Sequence, residues 1–455
     1  MRMKKLFKRA VLVLAVLTAY VLGSLVLPPA VRLKVEETAL GSSAAGEQVA
    51  CIDDNVDALI WRLRMIESAE EEIVLTTFGF STGSSGKDML CALHAAAERG
   101  VKIRLLLDGF HGGKTMRGSA EFQALSTLPN VEVRLYNEID LLQPWKANYR
   151  MHDKYLIVDD TMYMLGGRNT NDLFLGAYSA APNIDRDILV CASGADSSLR
   201  QLRVYFETVW ALPDCRTYKG GDAQDETFAA LRNRYETLKT FYPAAFGFTD
   251  WASETIPANA VTLLTGSVGV GTKAPTLWKS LCAYMSQGET ILIQTPYVIC
   301  GGEMYDDLAA LCAERAVTIL TNSPETGANP FGCADYLNQR DEILDTGASI
   351  LEYAGGHSLH AKTILIDENI SIVGSFNMDM RSTYIDTETM LVIDCPALNA
   401  QLRQGIQEMA EDSLYISPDG TEIPGASYEQ GTRPFWSSLG IQLLRIVEGL
   451  FRHLL

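Results

Sequence analysis

The stretch His152-Asp153-Lys154-Tyr155-Leu156-Ile157-Val158-Asp159 has a counterpart in His360-Ala361-Lys362-Thr363-Ile364-Leu365-Ile366-Asp367. In both stretches the His and Lys stand two residues apart, and an apolar run leads to an Asp five residues after the Lys. Each stretch is followed by Gly-x-x-Asn, ending at Asn169 in the first copy and at Asn377 in the second. A His and a Lys that met by chance on one strand would not recur with this spacing, so the sequence predicts a duplicated site.

The chemistry of the repeated residues points to an anionic, oxygen-rich centre. The β-branched apolar runs predict strands, and alternate side chains of a strand share a face, so we expect each His to project with its Lys. The two Asp residues have the opposite parity, which makes Asp159 and Asp367 structural partners of the turn that follows. A His can carry a proton or attack, a Lys supplies a point charge and an Asn supplies a neutral donor.

This constellation resembles the phospholipase D superfamily, in which such a motif is duplicated, and the resemblance covers about residues 46 to 410. It implies an α/β fold of two sheet-and-helix halves that form a pseudo-dimer with one shared active site. It also implies His152 as the nucleophile, which would form a phosphohistidine, and His360 as the acid and base. The phosphate oxygens would be held by Lys154, Lys362, Asn169, Asn377 and Ser375. The first copy departs from the pattern, because Gly167 stands where the second has Ser375.

An imidazole needs a partner on its second nitrogen to fix its tautomer. By the same resemblance, Glu388 is the expected orienting carboxylate for the second copy, because it precedes the apolar run 390–393. For the first copy we expect Asp185 or Asp187, which precede the run 188–190.

Strand and helix patterns alternate twice along the chain. Strand-like runs at 73–80, 101–108 and 131–136 precede the first motif, and runs at 290–297, 317–321 and 349–353 precede the second. Such alternation predicts a sheet covered by helices in each half. We expect an N-terminal anchor at 1–30, a linker at 31–45, halves at 46–212 and 256–412 joined by 213–255, and a tail with an amphipathic helix at 413–455.

The N-terminus has the pattern of an uncleaved signal anchor. Five basic residues lie within the first nine, and residues 10–27 are apolar except for Thr18, Ser24 and the weakly polar Tyr20. Such a run is just long enough to span a bilayer, although a cleaved signal peptide is the alternative. Only Arg32 and Lys34 closely follow the run, so the positive-inside rule predicts a cell-membrane protein whose catalytic part is extracytoplasmic.

The formal net charge of −18 weighs against a nucleic-acid groove, which is normally basic. No acidic or histidine cluster has the spacing of a two-metal site, so we expect no metal or other cofactor. By the resemblance to the phospholipase D superfamily, the expected function is that of a cardiolipin-synthase-like phosphatidyltransferase acting on phosphatidylglycerol or a similar phospholipid. The alternatives are a hydrolytic phospholipase D, a nuclease or other phosphodiesterase, and a silent lipid-binding scaffold.

Overall fold

The computed structural model describes residues 2–31, 33, 35, 40–192, 194–221 and 224–455, without the side chains of residues 2–10, 13 and 14. Arg32 and Lys34, on which the predicted orientation of the anchor depends, lie outside the described residues.

The elements up to the middle of the chain alternate between strand and helix as the sequence predicts. In chain order they are α1 (Arg2–Val26), β1 (Ser43–Ala44), β2 (Gln48–Ile52), α2 (Asn55–Ser68), β3 (Glu72–Thr77), α3 (Ser84–Glu98), β4 (Lys102–Asp108), α4 (Gly113–Met116), α5 (Ala120–Thr127), β5 (Val131–Tyr136), β6 (Tyr155–Val158), β7 (Met162–Gly166), β8 (Asp187–Cys191), α6 (Ser198–Trp210), β9 (Cys215–Tyr218) and α7 (Asp225–Phe241).

The same order returns in the second part of the chain. The elements there are β10 (Ile256–Pro257), β11 (Ala260–Thr265), α8 (Thr276–Met285), β12 (Thr290–Gln294), β13 (Val298–Ile299), α9 (Gly302–Cys312), β14 (Ala316–Asn322), α10 (Pro330–Asp345), β15 (Ser349–Tyr353), β16 (Thr363–Ile366), β17 (Ile370–Gly374), β18 (Met378–Asp379), α11 (Met380–Tyr384), β19 (Thr389–Asp394), α12 (Pro396–Glu411), β20 (Ser413–Ile416), β21 (Glu422–Pro424) and α13 (Phe435–Val447).

Each half of the chain builds one large mixed sheet. The first has the strand order β10-β2-β8-β7-β6-β3-β4-β5-β9, and the second has β1-β11-β19-β17-β16-β12-β14-β15-β20-β21. In both sheets the motif strand, β6 or β16, lies at the centre and pairs antiparallel with the first strand of a parallel set of three. The duplication that the motifs indicate is therefore a duplication of the whole half.

The halves are joined by a shared core and by exchanged edge strands. One hydrophobic cluster combines residues of both sheets, including Ile157 and Leu165 from the first and Leu365 and Leu391 from the second. Strand β1 pairs with β11 in the second sheet, and β10 pairs with β2 in the first. Because apolar burial is the main favourable term in folding, this common core fixes one half against the other and brings the two motifs to one junction.

Short strands also form in segments where the sequence pattern predicts none, and two of them extend the large sheets. The stretch expected to connect the halves supplies β9, which pairs with β5 at the edge of the first sheet. The stretch expected to be a tail supplies β20, which pairs with β15. Neither strand has a long apolar run, which is why the sequence pattern did not indicate them.

The two chain ends meet beside the motif loops. The Asn148 side chain donates to the Leu25 carbonyl of α1 at 2.7 Å, and Nε2 of His453 lies 2.9 Å from the Val26 carbonyl. In the part of the chain that the structure describes, no helix combines the length and the apolar character needed to cross a membrane. The anchor at 1–30 stays a prediction.

Candidate active site

The motif His and Lys lie just before their strands. Strands β6 and β16 begin one residue after Lys154 and Lys362, so the expectation that each His and Lys lie on the strand itself is wrong. The backbone N–H of His152 donates instead to the Thr387 carbonyl at 3.2 Å, and that of His360 to the Ile184 carbonyl at 2.7 Å. Both acceptors belong to the opposite half. The motif segments thus leave their own sheets to pair across the junction.

Asp159 and Asp367 sit in the turns that follow the motif strands. Both have a positive φ, 49° and 46°. The Asp159 carboxylate accepts from the backbone N–H groups of Glu70, Glu71 and Glu72, and that of Asp367 accepts from Glu289 and Thr290. These bonds tie each turn to the start of the neighbouring strand, which is the contact expected of a structural residue.

Each motif histidine is held by a carboxylate from the other half. Nδ1 of His152 lies 2.8 Å from Oε1 of Glu388, and Nδ1 of His360 lies 2.6 Å from Oδ2 of Asp185. The expected assignment, Glu388 to the second copy and the first-half Asp to the first, is therefore reversed. The reason is the crossed pairing of the motif segments, which carries each His to the sheet edge where the other half's carboxylate stands.

Asp187, the second carboxylate expected for the first copy, is engaged elsewhere. Its Oδ2 lies 2.9 Å from Arg62 and 3.2 Å from the fully buried Arg168. Removing one partner of such a buried ion pair costs about 3–5 kcal/mol. Asp187 therefore holds the fold behind the site and does not orient a histidine.

The Gly167 and Ser375 positions differ because their neighbours differ. A Cβ at Gly167 would lie 2.3 Å from Oδ1 of Asp185, so this carboxylate leaves room for glycine alone. In the second copy the buried Ser375 hydroxyl bonds to the backbone of Thr389, accepting from its N–H at 3.0 Å. Ser375 was expected to bind phosphate, but this bond commits its hydroxyl to the sheet.

The lysines and asparagines surround the histidines. Nζ of Lys362 lies 2.7 Å from Nδ1 of His360, and Nζ of Lys154 donates to the His152 carbonyl. Oδ1 of Asn169 accepts from the Gly79 N–H at 3.0 Å, so Nδ2 of the same side chain points away from Gly79. Nδ2 of Asn377 donates to the Tyr297 hydroxyl at 3.1 Å.

Burial and mutual repulsion set the ionisation of this cluster. Burial, and then the charge of Lys154, lower the pKa of His152 well below its ordinary value, and burial and Lys362 lower that of His360 to about 4. Burial lowers the pKa of Lys154 to about 7 and that of Lys362 to about 8. The Lys362 ammonium, followed by the contact with His360, outweighs the effect of burial and lowers the pKa of Asp185, which therefore stays ionised. The site thus has the positive character that an anionic substrate would stabilise.

The two histidines differ in exposure. The side chain of His152 is 10% exposed and that of His360 is 21% exposed. A Phe78 ring lies edge-on to His152 with centroids 4.9 Å apart, and Phe174 takes the same position beside His360 at 4.8 Å. Since the aromatic neighbours match, the difference places His360 on the more open side of the junction.

Two residues at the site were not singled out from the sequence. Asp108 and Asn322 end the parallel strands β4 and β14, and each accepts from the backbone N–H just before a motif histidine, Met151 at 3.2 Å and Leu359 at 2.8 Å. Both occupy the same position of the repeat. Their position at the carboxyl end of a central parallel strand, where the sites of α/β proteins form, could have predicted both residues.

Within the described residues, no group of three or more His, Cys, Asp or Glu side chains is arranged to hold a metal ion. Metal independence itself stays a prediction, to be tested with a chelator.

Comparison with known proteins places this geometry in a family. The family model described as "Cardiolipin synthase, PLD-like domain" matches residues 63–210 and 281–410, one match for each half. The chain belongs to this family. Membership confirms the expected phospholipase D superfamily, and the expectation that the chain is an enzyme of phospholipase D type is confirmed with it.

Similar proteins span most of the chain. Cardiolipin synthase C of Escherichia coli (strain K12) is 28% identical over 393 residues, which cover 77% of this chain and 82% of that protein. Cardiolipin synthase 1 of Staphylococcus epidermidis (strain ATCC 12228 / FDA PCI 1200) is 26% identical over 360 residues, covering 78% and 66%. An uncharacterised protein of Helicobacter pylori (strain ATCC 700392 / 26695) is 24% identical over 411 residues, covering 80% of each chain.

A solved structure shows the same fold. The crystal structure of phosphatidylserine synthase from Haemophilus influenzae Rd KW20 matches 91% of this chain and 97% of that chain, with a TM-score of 0.64 and 14% identity. This likeness confirms the expected duplicated phospholipase D fold.

Proposed function

We propose that this protein transfers a phosphatidyl group between phospholipid head groups through a phosphohistidine, and that its product is cardiolipin. The observation that carries the proposal is the crossed arrangement of two histidines, each with Nδ1 held by a buried carboxylate of the opposite half. With Nδ1 bonded to the carboxyl group, Nε2 of each imidazole is the nitrogen that reacts, and Nζ of Lys362 lies 3.3 Å from Nε2 of His360. The curated relatives named cardiolipin synthase support the choice of substrate.

In the first step, Nε2 of His152 attacks the phosphorus of phosphatidylglycerol. His152 suits this role because it is the more buried histidine and its lowered pKa keeps it neutral, with a free electron pair. Lys154, Lys362 and the Asn169 and Asn377 amides stabilise the charge that develops on the non-bridging oxygens. As the phosphorus–oxygen bond to glycerol breaks, His360 donates its proton to the departing oxygen.

In the second step, His360 takes a proton from the hydroxyl of a second phosphatidylglycerol. That oxygen bonds to phosphorus, the phosphorus–nitrogen bond to His152 breaks, and cardiolipin is released. Asp185 supports both roles of His360, because its carboxylate stabilises the imidazolium that forms when the proton is held. If water enters in place of the lipid hydroxyl, the product is phosphatidic acid.

We further propose that the protein works at a membrane. Helix α1 exposes Leu12, Val16 and Leu22, and the other end of the chain adds an exposed apolar stripe on α13. An amphipathic helix of this kind lies in the lipid interface with its apolar face buried. The basic residues at the start of the chain support an anchor whose N-terminus is cytoplasmic and whose catalytic part faces outward.

The test is incubation of the purified full chain with phosphatidylglycerol vesicles in EDTA, with the products resolved by mass. We expect cardiolipin and free glycerol, with both lost in His152→Ala and in His360→Ala. Phosphatidic acid alone would replace the proposal with hydrolysis. Full turnover by either variant would exclude the proposed site, and loss of activity in EDTA would contradict metal independence.

A further inference from the structure

A small cavity opens beside His360. Its volume is about 60 Å³, and it is walled by Tyr297, Thr321, Asn322, Ala328, Cys333 and His360 among others. Ala328 is exposed and marks the rim, whereas Thr321 is 1% exposed and lies inside. The cavity thus leads from the surface to the histidine that the proposed reaction uses as acid and base.

Most polar groups of the cavity wall are already bonded, which fixes the wall. The Asn322 amide donates to the carbonyls of Pro296 and Leu359, and the Tyr336 hydroxyl donates to Glu352 at 2.5 Å. The Tyr297 hydroxyl accepts from Asn377, so the wall is continuous with the second motif.

One buried group of the wall is different. Oγ1 of Thr321 is buried and has no hydrogen-bond partner within the described residues. A buried hydroxyl left unpaired costs about 1–3 kcal/mol, so a ligand that bonds to it gains affinity. The ligand that fits this group is one with a hydroxyl of its own.

The size of the cavity limits the ligand. A cavity of about 60 Å³ holds about four water molecules, since one water needs about 10–15 Å³ of such space. That space takes the hydroxymethyl end of an alcohol and excludes an acyl chain.

The His152 side of the junction differs from the His360 side. There, Phe78 and His111, whose ring centroids are 4.2 Å apart, cover His152.

We propose that this cavity is the alcohol subsite, which binds the hydroxymethyl end of the glycerol head group. The inference rests on the proposed function. In the first step the departing glycerol oxygen receives the His360 proton there as its bond to phosphorus breaks. In the second, the terminal hydroxyl of the acceptor head group gives its proton to His360 there as it bonds to phosphorus. The cavity therefore selects glycerol over larger alcohols, and Thr321 positions the hydroxyl.

The test changes the rim and the buried hydroxyl separately. Ala328→Leu narrows the entrance from an exposed position, and Thr321→Val removes the hydroxyl at nearly constant volume. Ala313→Leu, at an exposed site at the end of α9, is the matched control. The full-length variants are given phosphatidylglycerol vesicles with added ethanol, and cardiolipin, phosphatidylethanol and phosphatidic acid are measured together.

We expect Ala328→Leu to lower the ratio of cardiolipin to phosphatidylethanol by about tenfold, because ethanol still enters a narrowed subsite. Thr321→Val should raise the KM for added ethanol, measured as phosphatidylethanol formed, by about fivefold with kcat nearly unchanged, which is the loss of one hydrogen bond. Product ratios like those of Ala313→Leu in both variants, while the unmodified protein turns over lipid, would overturn the subsite alone. No lipid turnover by the unmodified protein would overturn the proposed function and this inference with it.

Discussion

At the scale of single residues, the two motif histidines are chemically distinct although their sequence surroundings match. His152 is the more buried, and its Nδ1 faces a Glu; His360 is the more open, and its Nδ1 faces an Asp. We assign attack on phosphorus to His152 and proton transfer to His360.

The division of labour predicts a response to the leaving group. From a 4-nitrophenyl phosphodiester, nitrophenolate departs without needing a proton. His360→Ala should therefore release nitrophenol in the first turnover at a rate within about tenfold of that of the unmodified protein. Its rate of turnover of alkyl esters should fall by about 10²–10⁴-fold. His152→Ala should lose both. Stopped-flow release of nitrophenol measures the difference, and equal losses in both variants would contradict the assignment.

The pKa of His360 predicts the pH dependence. The proton needed for departure of the alcohol is present below the pKa of about 4 and is lost above it. Since His152 is neutral over the same range, kcat/KM should fall by nearly tenfold per pH unit between about pH 5.5 and 7.5. A profile that is flat or rising over this range would contradict the acid role of His360.

The variant Asp185→Asn tests whether Asp185 sets the pKa of His360. It removes the carboxylate whose charge raises the pKa of His360, so that pKa should fall further and kcat/KM at pH 6 should drop while the slope stays the same. Binding of the anionic substrate raises the same pKa, so the kcat profile should lie at higher pH than that of kcat/KM. A variant with an unchanged profile would show that Asp185 does not act on His360.

At the scale of elements, the strand ends carry the site. The turn after β7 runs through Gly167, where Asp185 lies within 2.3 Å of any added Cβ. Gly167→Ser should therefore displace the carboxylate, misalign His360 and reduce kcat by up to about 100-fold, the loss that a misplacement of about 1 Å can cause.

Gly356→Ser is the matched control, because a Cβ there meets nothing within 4 Å. Thermal melts should show both variants folded, with the loss of activity confined to Gly167→Ser. Full activity in Gly167→Ser would mean that the position of Asp185 is not critical.

The same elements show what the sequence can specify. Alternation and apolar runs located β5 at its observed bounds and β4 to within one residue, because burial on both faces of a central strand leaves a local pattern. The crossing of His152 to Glu388 could not be read in this way. It depends on which half supplies the neighbouring strand end, and that is a property of the assembled junction rather than of any local stretch.

At the scale of the whole molecule, the surface of α13 is divided between protein and solvent. Ile441 and Leu444 pack with Cys333 and Ala334 of α10, whereas the opposite face exposes Leu443 by 58% and Ile446 by 78%. Packing against α10 does not require apolar residues on the opposite face of α13. An exposed apolar stripe there is typical of a surface that contacts lipid.

The double variant Leu443→Glu/Ile446→Glu should reduce binding to phosphatidylglycerol vesicles in a sedimentation assay by about tenfold, since two charges would face the acyl boundary. The control Gln404→Glu/Gln407→Glu adds the same two charges to α12. It should reduce vesicle binding less than threefold, and this smaller loss is due to repulsion by the anionic lipid. Equal losses in the two double variants would attribute the effect to charge alone.

In the proposed reaction, His152 carries the phosphatidyl group between the two steps. The most direct measurement mixes the full chain with phosphatidylglycerol vesicles and quenches the reaction rapidly into alkali, where phosphohistidine persists. The peptides that contain His152 and His360 are then analysed by mass. We expect a phosphatidyl adduct on His152. This adduct should accumulate when deprotonation of the acceptor hydroxyl is blocked. An adduct on His360, or turnover of lipid with no adduct on either histidine, would contradict this role of His152.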